Sequence, residues 1–168
     1  AIINSLGFNN KGSKKVKQNI IKYKKSSKEN KLIGVNIGKN KSSINSINDY
    51  LLCMDELGSV ANYITINISS PNTEDLRSFH EQTKLNELLE IIEVEKKNLN
   101  SKIPIAVKVS PDLDDQEINK ICEVLLSNNI EVIIISNTSD STRENLKNTQ
   151  AHQKGGLSGK PIEKKIDK

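Results

Sequence analysis

The side chains best suited to chemistry are amides, hydroxyls and one ammonium group that lie on or just after short apolar runs. Asn36 and Asn67 alternate with branched aliphatic residues, and Lys108 does the same between Val107 and Val109. In a strand, this alternation places the polar groups on the face opposite to the aliphatic ones. A buried amide or ammonium group without a partner costs on the order of a few kcal/mol. Such a face must therefore be paired internally or bind a polar ligand, and a buried lysine favours an anionic one.

Serine hydroxyls follow the second of these runs, in the segment Asn67-Ile68-Ser69-Ser70-Pro71-Asn72. A serine is a poor base in water, and it acts as one only if a neighbouring group or a water chain accepts its proton. An ordinary turn is the competing interpretation of a Ser-Ser-Pro-Asn segment. The turn is the interpretation that these residues favour when they are taken alone.

The cysteines and histidines do not form a metal-binding pattern. Cys53 and Cys122 lie in amphipathic helical patterns and make no CxxC pair, so we expect buried helix cysteines in a reducing compartment. His80 and His152 are far apart in polar surroundings, and we expect both to be solvated at the surface. No metal is therefore predicted.

Apolar runs that are rich in Ile and Val alternate with helical patterns. The runs cover residues 32–37, 63–68, 103–109 and 132–136. The helical patterns are Val16, Ile20 and Tyr23; Ile44, Ile47, Leu51 and Met54; Leu85, Leu88, Leu89 and Ile92; and Ile118, Ile121, Cys122, Leu125 and Leu126. Ser42 and Ser43 are the candidate N-caps of the second helix, while Asp114 and Asp115 suit the start of the last. Strictly alternating strands and helices predict βαβ units and a parallel sheet.

A closed barrel explains the polar strand faces better than an open dinucleotide-binding sheet. No predicted strand is followed by a GxGxxG turn, which the open sheet would need. In a barrel the helices cover the aliphatic face and the polar side chains point inward, where a ligand is held at the C-terminal mouth. The 168 residues contain no low-complexity linker, so we predict one α/β domain over residues 1–168, a partial (β/α)8 TIM barrel with about four β/α units.

Composition and charge exclude little but argue against nucleic-acid binding. The formal net charge is +4, the lysines are scattered, and aromatic residues make up 3% of the chain. A nucleic-acid-binding module normally concentrates basic residues on one face and interleaves aromatics. There is also no apolar run of about eighteen residues, so no transmembrane helix is expected. The opening residues have no basic region, so a signal peptide is not expected either.

Six loop segments, taken together and in order, carry a family resemblance. They are Asn4-Ser5-Leu6-Gly7-Phe8-Asn9-Asn10, Asn36-Ile37-Gly38-Lys39-Asn40-Lys41, Asn67-Ile68-Ser69-Ser70-Pro71-Asn72-Thr73, Val107-Lys108-Val109-Ser110-Pro111-Asp112, Ser136-Asn137-Thr138 and Gly155-Gly156-Leu157-Ser158-Gly159-Lys160-Pro161. At these spacings, across essentially the whole chain, they closely resemble dihydroorotate dehydrogenase of the membrane-associated, quinone-linked class.

The resemblance implies an FMN cofactor and a pyrimidine substrate, dihydroorotate, which is oxidised to orotate in pyrimidine biosynthesis. The implied flavin contacts are Asn36, Asn67, Lys108, Ser136 and Gly159. The implied substrate contacts are Asn4, Ser5, Leu6, Gly7, Phe8, Asn67, Asn72, Asn137 and Thr138. Orotate is flat with amide edges, so side chains that both donate and accept hydrogen bonds suit it.

The resemblance also assigns the catalytic base to Ser70. A base removes a proton from C5 of dihydroorotate while a hydride leaves C6 for flavin N5. The sister class that uses soluble electron acceptors has a cysteine at this position, so the serine implies quinone as the acceptor. Arg77, just after this loop, is expected to pair with a carboxylate or to help hold the loop, with the structural role favoured.

Parts of the family's barrel are expected to lie outside this chain. Its membrane-docking helices, first strands and a substrate-binding lysine should precede Ala1, and the strands that hold the flavin phosphate should follow Lys168. The resemblance implies peripheral association with the inner membrane, on the cytoplasmic face in a bacterium or in the mitochondrion of a eukaryote. Three alternatives stay open: a related flavin barrel that oxidises another dihydropyrimidine, an inactive fragment, and a lysine-rich binding module without enzymatic activity.

Overall fold

Strands and helices alternate along the parts of the chain that the computed structural model describes, namely residues 1–73, 75–99, 101–130, 132–141, 143 and 146–163. In chain order the strands and α-helices are β1 (Ile2–Asn4), α1 (Ser13–Ser26), β2 (Gly34–Ile37), α2 (Ser46–Leu57), β3 (Tyr63–Asn67), α3 (Gln82–Asn98), β4 (Ile105–Val109), α4 (Asp115–Ser127), β5 (Val132–Ile135) and β6 (Gly156–Ser158). Short 3-10 turns cover Leu76–His80, Thr149–His152 and Lys160–Ile162.

The central sheet is parallel, with its strands in the order β2-β3-β4-β5. Consecutive parallel strands joined by right-handed crossovers place every connecting helix on the same face. The core confirms this arrangement, because aliphatic residues from alternate strand positions form one cluster with the helices. Among these buried residues are Val35, Ile37, Ile64, Ile66, Val107 and Val109 of the strands and Met54, Leu85, Leu89, Ile121 and Leu125 of the helices.

The opposite face of the sheet carries the polar residues that the alternation predicted. The register pairs Asn67 of β3 with Lys108 of β4. It also pairs Asn36 of β2 with Thr65, which lies two residues before Asn67 on β3 and on the same face. Paired residues on adjacent parallel strands point to the same face. The partial barrel with helices on one face is therefore confirmed, and its inner face is polar at the carboxyl end.

The predicted strands are correct in position but too long at their ends. The first run begins at Gly34 instead of Leu32, whose side chain is 81% exposed. The Asn62 side chain accepts a hydrogen bond from Ile33 N at 2.9 Å, so a side chain pairs this amide before the strand begins. The third run similarly begins at Ile105.

The helix starts were predicted correctly for α4 and incorrectly for α2. Asp114 and Glu117 form a reciprocal capping box, in which both hydrogen bonds measure 2.8 Å. Helix α2 begins at Ser46, and its cap is Asn45, which accepts from Asn48 N at 3.1 Å. The prediction of Ser42 or Ser43 as the cap was wrong, because Asn45 offers the same kind of oxygen next to the first turn. Ile44 consequently lies outside the helix and is fully exposed.

A second, two-stranded sheet was not expected from the sequence. Strands β1 and β6 pair antiparallel, with Ile2 opposite Ser158 and Asn4 opposite Gly156. This pairing fixes the beginning of the chain to the glycine-rich segment near its end. Because Asn4 ends β1, the sheet also sets the position of the loop that follows.

Two further expectations concern single residues and the membrane. His152 is exposed as expected, but His80 is only partly exposed, and its Nε2 is buried without a hydrogen-bond partner among the described residues. The expectation of a solvated His80 was wrong, because its 3-10 turn packs against α3 and the imidazole Nε2 is buried there. Among the described residues, no helix combines the length and the apolar composition that crossing a membrane requires.

Candidate active site at the carboxyl ends of the strands

The loops after β3, β4 and β5 leave the same edge of the sheet, because parallel strands end on one side. This edge also receives the loop after β1, which is held there by the β1–β6 pairing. Nearly all of the residues that the sequence singled out lie on these loops or on the last inward positions of the strands.

A hydrogen-bond network joins the ends of β3 and β5. The Asn67 Oδ1 atom accepts from Ser69 N at 3.1 Å and from Ser69 Oγ at 3.0 Å. The Asn137 Nδ2 atom donates to the same Ser69 hydroxyl at 3.0 Å, so Ser69 lies between the two asparagines. From the helix side, the buried Tyr50 hydroxyl donates to the Asn67 carbonyl at 2.9 Å. Asn67 is therefore fixed through both its side chain and its backbone.

Ser70 lies directly beside this network and is almost inaccessible, with 7% of its surface exposed. Its Oγ accepts a hydrogen bond from Asn72 N at 3.3 Å, as in a serine turn. This is the turn that the residues alone favoured, and it leaves the hydroxyl free to act as a donor. Within the described residues, no carboxylate or imidazole is hydrogen-bonded to Ser70.

Asn72 connects the Ser70 loop to the loop after β1. Its Nδ2 donates to the carbonyls of Asn4 at 3.2 Å and of Leu6 at 2.9 Å. In the same loop, Asn4 Oδ1 accepts from Leu6 N at 3.2 Å, and the Ser5 hydroxyl donates to the Lys154 carbonyl. The asparagines that were predicted to bind substrate are thus partly engaged in holding the loops together.

Phe8 and Gly38 make a close contact that brings the end of β2 next to the loop after β1 and the end of β3. Phe8 has a φ of 53°, in the left-handed region. A Cβ atom on Gly38 would lie 2.9 Å from Phe8 Cζ and 3.4 Å from the Asn67 carbonyl oxygen, so a larger residue here would displace the Phe8 ring. The exposed Ser5, Leu6 and Gly7 form the outer part of the loop.

Arg77 links three of the loops, whereas the sequence had suggested only a carboxylate partner or a role in holding one loop. Its Nε donates to the Ser69 carbonyl at 3.2 Å, and its Nη2 donates to the Thr138 carbonyl at 3.2 Å. It also forms ion pairs with Asp112 at 3.3 Å and with Asp140 at 2.6 Å. The pairing with a carboxylate is confirmed, and two carboxylates take part.

The residues predicted to contact a flavin are only partly brought together. Lys108 is half-buried next to Asn67 and has no ion-pair partner among the described residues. Asn36 is exposed and lies opposite Thr65, on the same face of the sheet but further from its carboxyl edge. The Ser136 hydroxyl donates to the Asn137 carbonyl at 3.3 Å. Gly159 is exposed near Ala1, with a φ of 87° that glycine adopts readily, and no described contact joins it to Asn67 or Lys108.

These groups suit a flat polar ring on which negative charge develops. Lys108 offers on an inward face an ammonium group that no carboxylate of the described residues pairs with, and Asn36 and Asn67 offer amides on the same face. A lysine in this position stabilises negative charge that develops on a bound ring. The donor set therefore fits the ring end of a flavin.

Sequence reasoning missed Tyr50 and the carboxylates of Asp112 and Asp140 as supports of the site. Asp112 occurred in a quoted motif, and its position after β4 was the only signal for it. Tyr50 gave no signal, because an aromatic residue on an amphipathic helix is ordinarily part of the core. Burial raises the pKa of Tyr50, so its hydroxyl remains a hydrogen-bond donor.

The fold and the polar strand ends together define a class of protein, the (β/α) barrels, which bind ligands at the C-terminal mouth. Residues 1–166 match the sequence model of the family described as dihydroorotate dehydrogenase. The chain belongs to the dihydroorotate dehydrogenase family.

Individual relatives agree with this assignment. A dihydroorotate dehydrogenase (quinone) of Vibrio parahaemolyticus is 44% identical over 170 residues, which cover 96% of this chain and 49% of the relative. One of Shewanella woodyi is 44% identical over 167 residues, covering 96% and 48% respectively. The chain thus spans about half the length of the curated relatives it matches.

Solved structures show the same relationship. A ligand-free dihydroorotate dehydrogenase (DHODH) of Eimeria tenella superposes with a TM-score of 0.89 at 30% identity, covering 98% of this chain and 51% of that one. A DHODH of the same organism in complex with ferulenol superposes with a TM-score of 0.89 at 29% identity, covering 98% and 50%. The described fold is therefore about half of a DHODH barrel.

Proposed function

We propose that this chain forms the central part of an FMN-dependent enzyme that oxidises (S)-dihydroorotate to orotate and passes the electrons to a quinone. Family membership supports the proposal, and so do the relatives named dihydroorotate dehydrogenase (quinone). The observation that carries it is the network that joins Asn67, Ser69 and Asn137 next to the buried Ser70.

The asparagines provide the substrate site. Amide groups of Asn67, Asn72 and Asn137 lie at one edge of the sheet. Among the described residues, the Asn67 Nδ2 donor and the Asn72 Oδ1 acceptor are not used by these bonds, and Asn137 Nδ2 keeps one hydrogen to donate. Amides match the alternating N–H and C=O groups of a dihydropyrimidine ring without adding a net charge. The loop of Asn4, Ser5, Leu6, Gly7 and Phe8 is joined to Asn72 at this edge, and Thr138 lies against Gly156, which pairs with Asn4.

Ser70 acts as the base. Its burial keeps bulk water away from the hydroxyl, and the Asn72 amide fixes the orientation of Oγ by donating to it. The hydroxyl proton remains free for transfer to an acceptor when Oγ takes the proton from substrate C5. Water or a group outside the described residues serves as that acceptor.

Lys108 provides the electrostatic part of the catalysis. Bound FMN supplies the hydride acceptor of the oxidation. Asn36, Asn67, Lys108, Ser136 and Gly159 are the residues that would hold it. Lys108 stabilises negative charge next to the ring, because it has no carboxylate partner among the described residues to neutralise it. Asn67, at the end of β3, would contact both the flavin and the substrate.

A quinone acceptor implies a location at a membrane. Quinones dissolve in the bilayer, so the enzyme must meet its acceptor at the surface of the membrane. We place the protein on the inner membrane as a peripheral protein, attached through helices outside this chain. The more similar relatives reported above, those of Vibrio and Shewanella, are bacterial, which favours the cytoplasmic face.

The proposal is tested by replacing Ser70 in the full-length protein. Ser70→Ala should slow reduction of the bound flavin by dihydroorotate roughly 100- to 10,000-fold, the range for loss of a positioned general base. Orotate affinity should change little, because the asparagines provide ground-state binding and the base acts in the transition state. Anaerobic stopped-flow absorbance measures the rate, and orotate titration of the flavin spectrum measures the affinity.

Ser127→Ala is the matched control, because this exposed serine at the end of α4 bonds only its own helix, to the Glu123 carbonyl at 2.8 Å. It should reduce its flavin at the wild-type rate. A Ser70→Ala variant that also does so would remove Ser70 from the mechanism. Reduction of the wild type by dihydrouracil but not by dihydroorotate would instead favour another dihydropyrimidine-oxidising enzyme.

A further inference from the structure

We infer that Arg77 is a positioning residue for Ser70. Its guanidinium group holds the loops after β3, β4 and β5 at fixed separations. The inference rests on the proposed function for its catalytic consequence, but the geometry of the clamp is independent of that function. We call Arg77, Asp112 and Asp140 the arginine clamp.

The contacts of Arg77 use the geometry that only an arginine side chain offers. Nε donates to the loop after β3, Nη1 donates to the loop after β5, and Nη2 contacts the loops after β4 and β5, at distances between 2.6 and 3.3 Å. A guanidinium group is planar and presents five donors in a rigid fork, whereas a lysine ammonium is a compact point charge on a flexible stem. A lysine at this position would keep the charge but lose the simultaneous contacts.

Asp112 forms the acidic centre of the clamp. Its side chain is 11% exposed and pairs with Arg77 at 3.3 Å. It also accepts hydrogen bonds from Ser139 Oγ at 2.5 Å, from Ser141 Oγ at 2.7 Å and from Asp140 N at 3.1 Å. These bonds connect the loop after β4 to the loop after β5. Asp112 and Arg77 therefore both fix the position of the loop after β5.

The connection to the base is direct. The carbonyl that accepts from Arg77 Nε belongs to Ser69, so this bond fixes the peptide plane between Ser69 and Ser70. On its other side, Ser69 Oγ is bonded to Asn67 and Asn137. Losing the guanidinium therefore frees the backbone that carries the Ser70 hydroxyl, and it frees Thr138 at the same time. A misplacement of about 1 Å can lower a rate about 100-fold.

The test compares Arg77→Ala and Arg77→Lys with the wild type in the full-length protein. The rate constant for flavin reduction by dihydroorotate, expressed per bound flavin, should fall roughly 100-fold in Arg77→Ala. Arg77→Lys should recover only part of this loss. Free guanidinium ion, added at millimolar concentrations, should restore part of the rate in Arg77→Ala but not in Ser70→Ala. The orotate dissociation constant should rise less than the rate falls.

A second readout does not depend on catalysis. Hydrogen exchange should accelerate in residues 69–72 and in residues 138–141 together when Arg77 is replaced by alanine, because one group holds both. Lys84→Ala is the matched control, since this exposed lysine pairs only locally with Glu81 at 3.1 Å. It should leave both the exchange and the rate at wild-type values.

The outcomes separate this inference from the proposed function. If Arg77→Ala loses flavin but keeps the wild-type rate per bound flavin, Arg77 is merely structural and the inference fails. Unchanged exchange in both loops would overturn it as well, whatever the activity. If the wild type is not reduced by dihydroorotate at all, the proposed function fails, and the exchange measurement still decides whether the clamp exists.

Discussion

Replacement of Tyr50 by phenylalanine tests whether the end of β3 is held from the helix side. The substitution removes one oxygen atom, which donates to the Asn67 carbonyl at 2.9 Å from a side chain with no exposed surface. The ring itself can stay, because its edge-to-face contact with Phe79, at 6.0 Å and 87°, does not involve the hydroxyl. The expected loss is therefore that of the bond to the Asn67 carbonyl, whose oxygen remains buried, together with the hydrogen bond between the Lys39 backbone and the same hydroxyl.

The magnitude follows from the cost of leaving a buried acceptor unpaired, about 1–3 kcal/mol. We expect the free energy of unfolding of the full-length protein to fall by about 2 kcal/mol. Equilibrium denaturation in urea measures it, with the flavin bound to saturation in every sample. Tyr63→Phe is the matched control, because the Tyr63 ring is 41% exposed and water can replace its bonds. A Tyr50→Phe variant that differs from the wild type by less than about 0.5 kcal/mol would refute this reasoning.

Three further predictions follow from the same structure. Lys108→Met should weaken flavin retention and slow flavin reduction together, which dialysis and stopped-flow absorbance measure; a change in neither would exclude Lys108 from the site. Burial, and secondarily Arg77, lower the pKa of His80 from 6.5 to about 4. Because His80 binds a proton more readily in the unfolded chain than in the folded one, acid destabilises the fold. The free energy of unfolding should keep its full value above pH 6.5 and should fall by up to about 3 kcal/mol towards pH 4. His80→Gln should flatten that dependence in urea titrations at several pH values. Residues 1–168 expressed alone should be aggregated, colourless and inactive, because β2 and β5 leave open edges in the described sheet; a yellow monomer in sedimentation would contradict this.

The central sheet was predictable because its strands alternate clearly. Ile64 and Ile66 against Asn67, and Val107 and Val109 against Lys108, define two faces, and the structure confirms them. A period of two residues needs several positions to become visible. The three-residue strands β1 and β6 are too short for this, and they pair across almost the entire chain, so the small sheet was missed.

Single-residue contacts were harder to predict than elements. The cap of α2 could not be chosen from sequence, because Ser42, Ser43 and Asn45 all carry suitable oxygens and only the backbone path selects one. His80 has polar neighbours in sequence, yet packing between elements buries its Nε2. The loops were recognisable as motifs, but the hydrogen bonds that join Ser69 to Asn137 depend on strand order and register. The roles assigned to the individual site residues remain predictions.

The central claim is that the protein transfers electrons from dihydroorotate to a quinone through a bound flavin. The most direct measurement follows orotate formation by the purified full-length protein under anaerobic conditions, with a short-chain quinone, fumarate or NAD as the only acceptor. The account predicts one orotate for each quinone reduced, with no turnover on fumarate or NAD. Turnover with a soluble acceptor but not with quinone, or no orotate with any acceptor from a flavin-loaded protein, would contradict it.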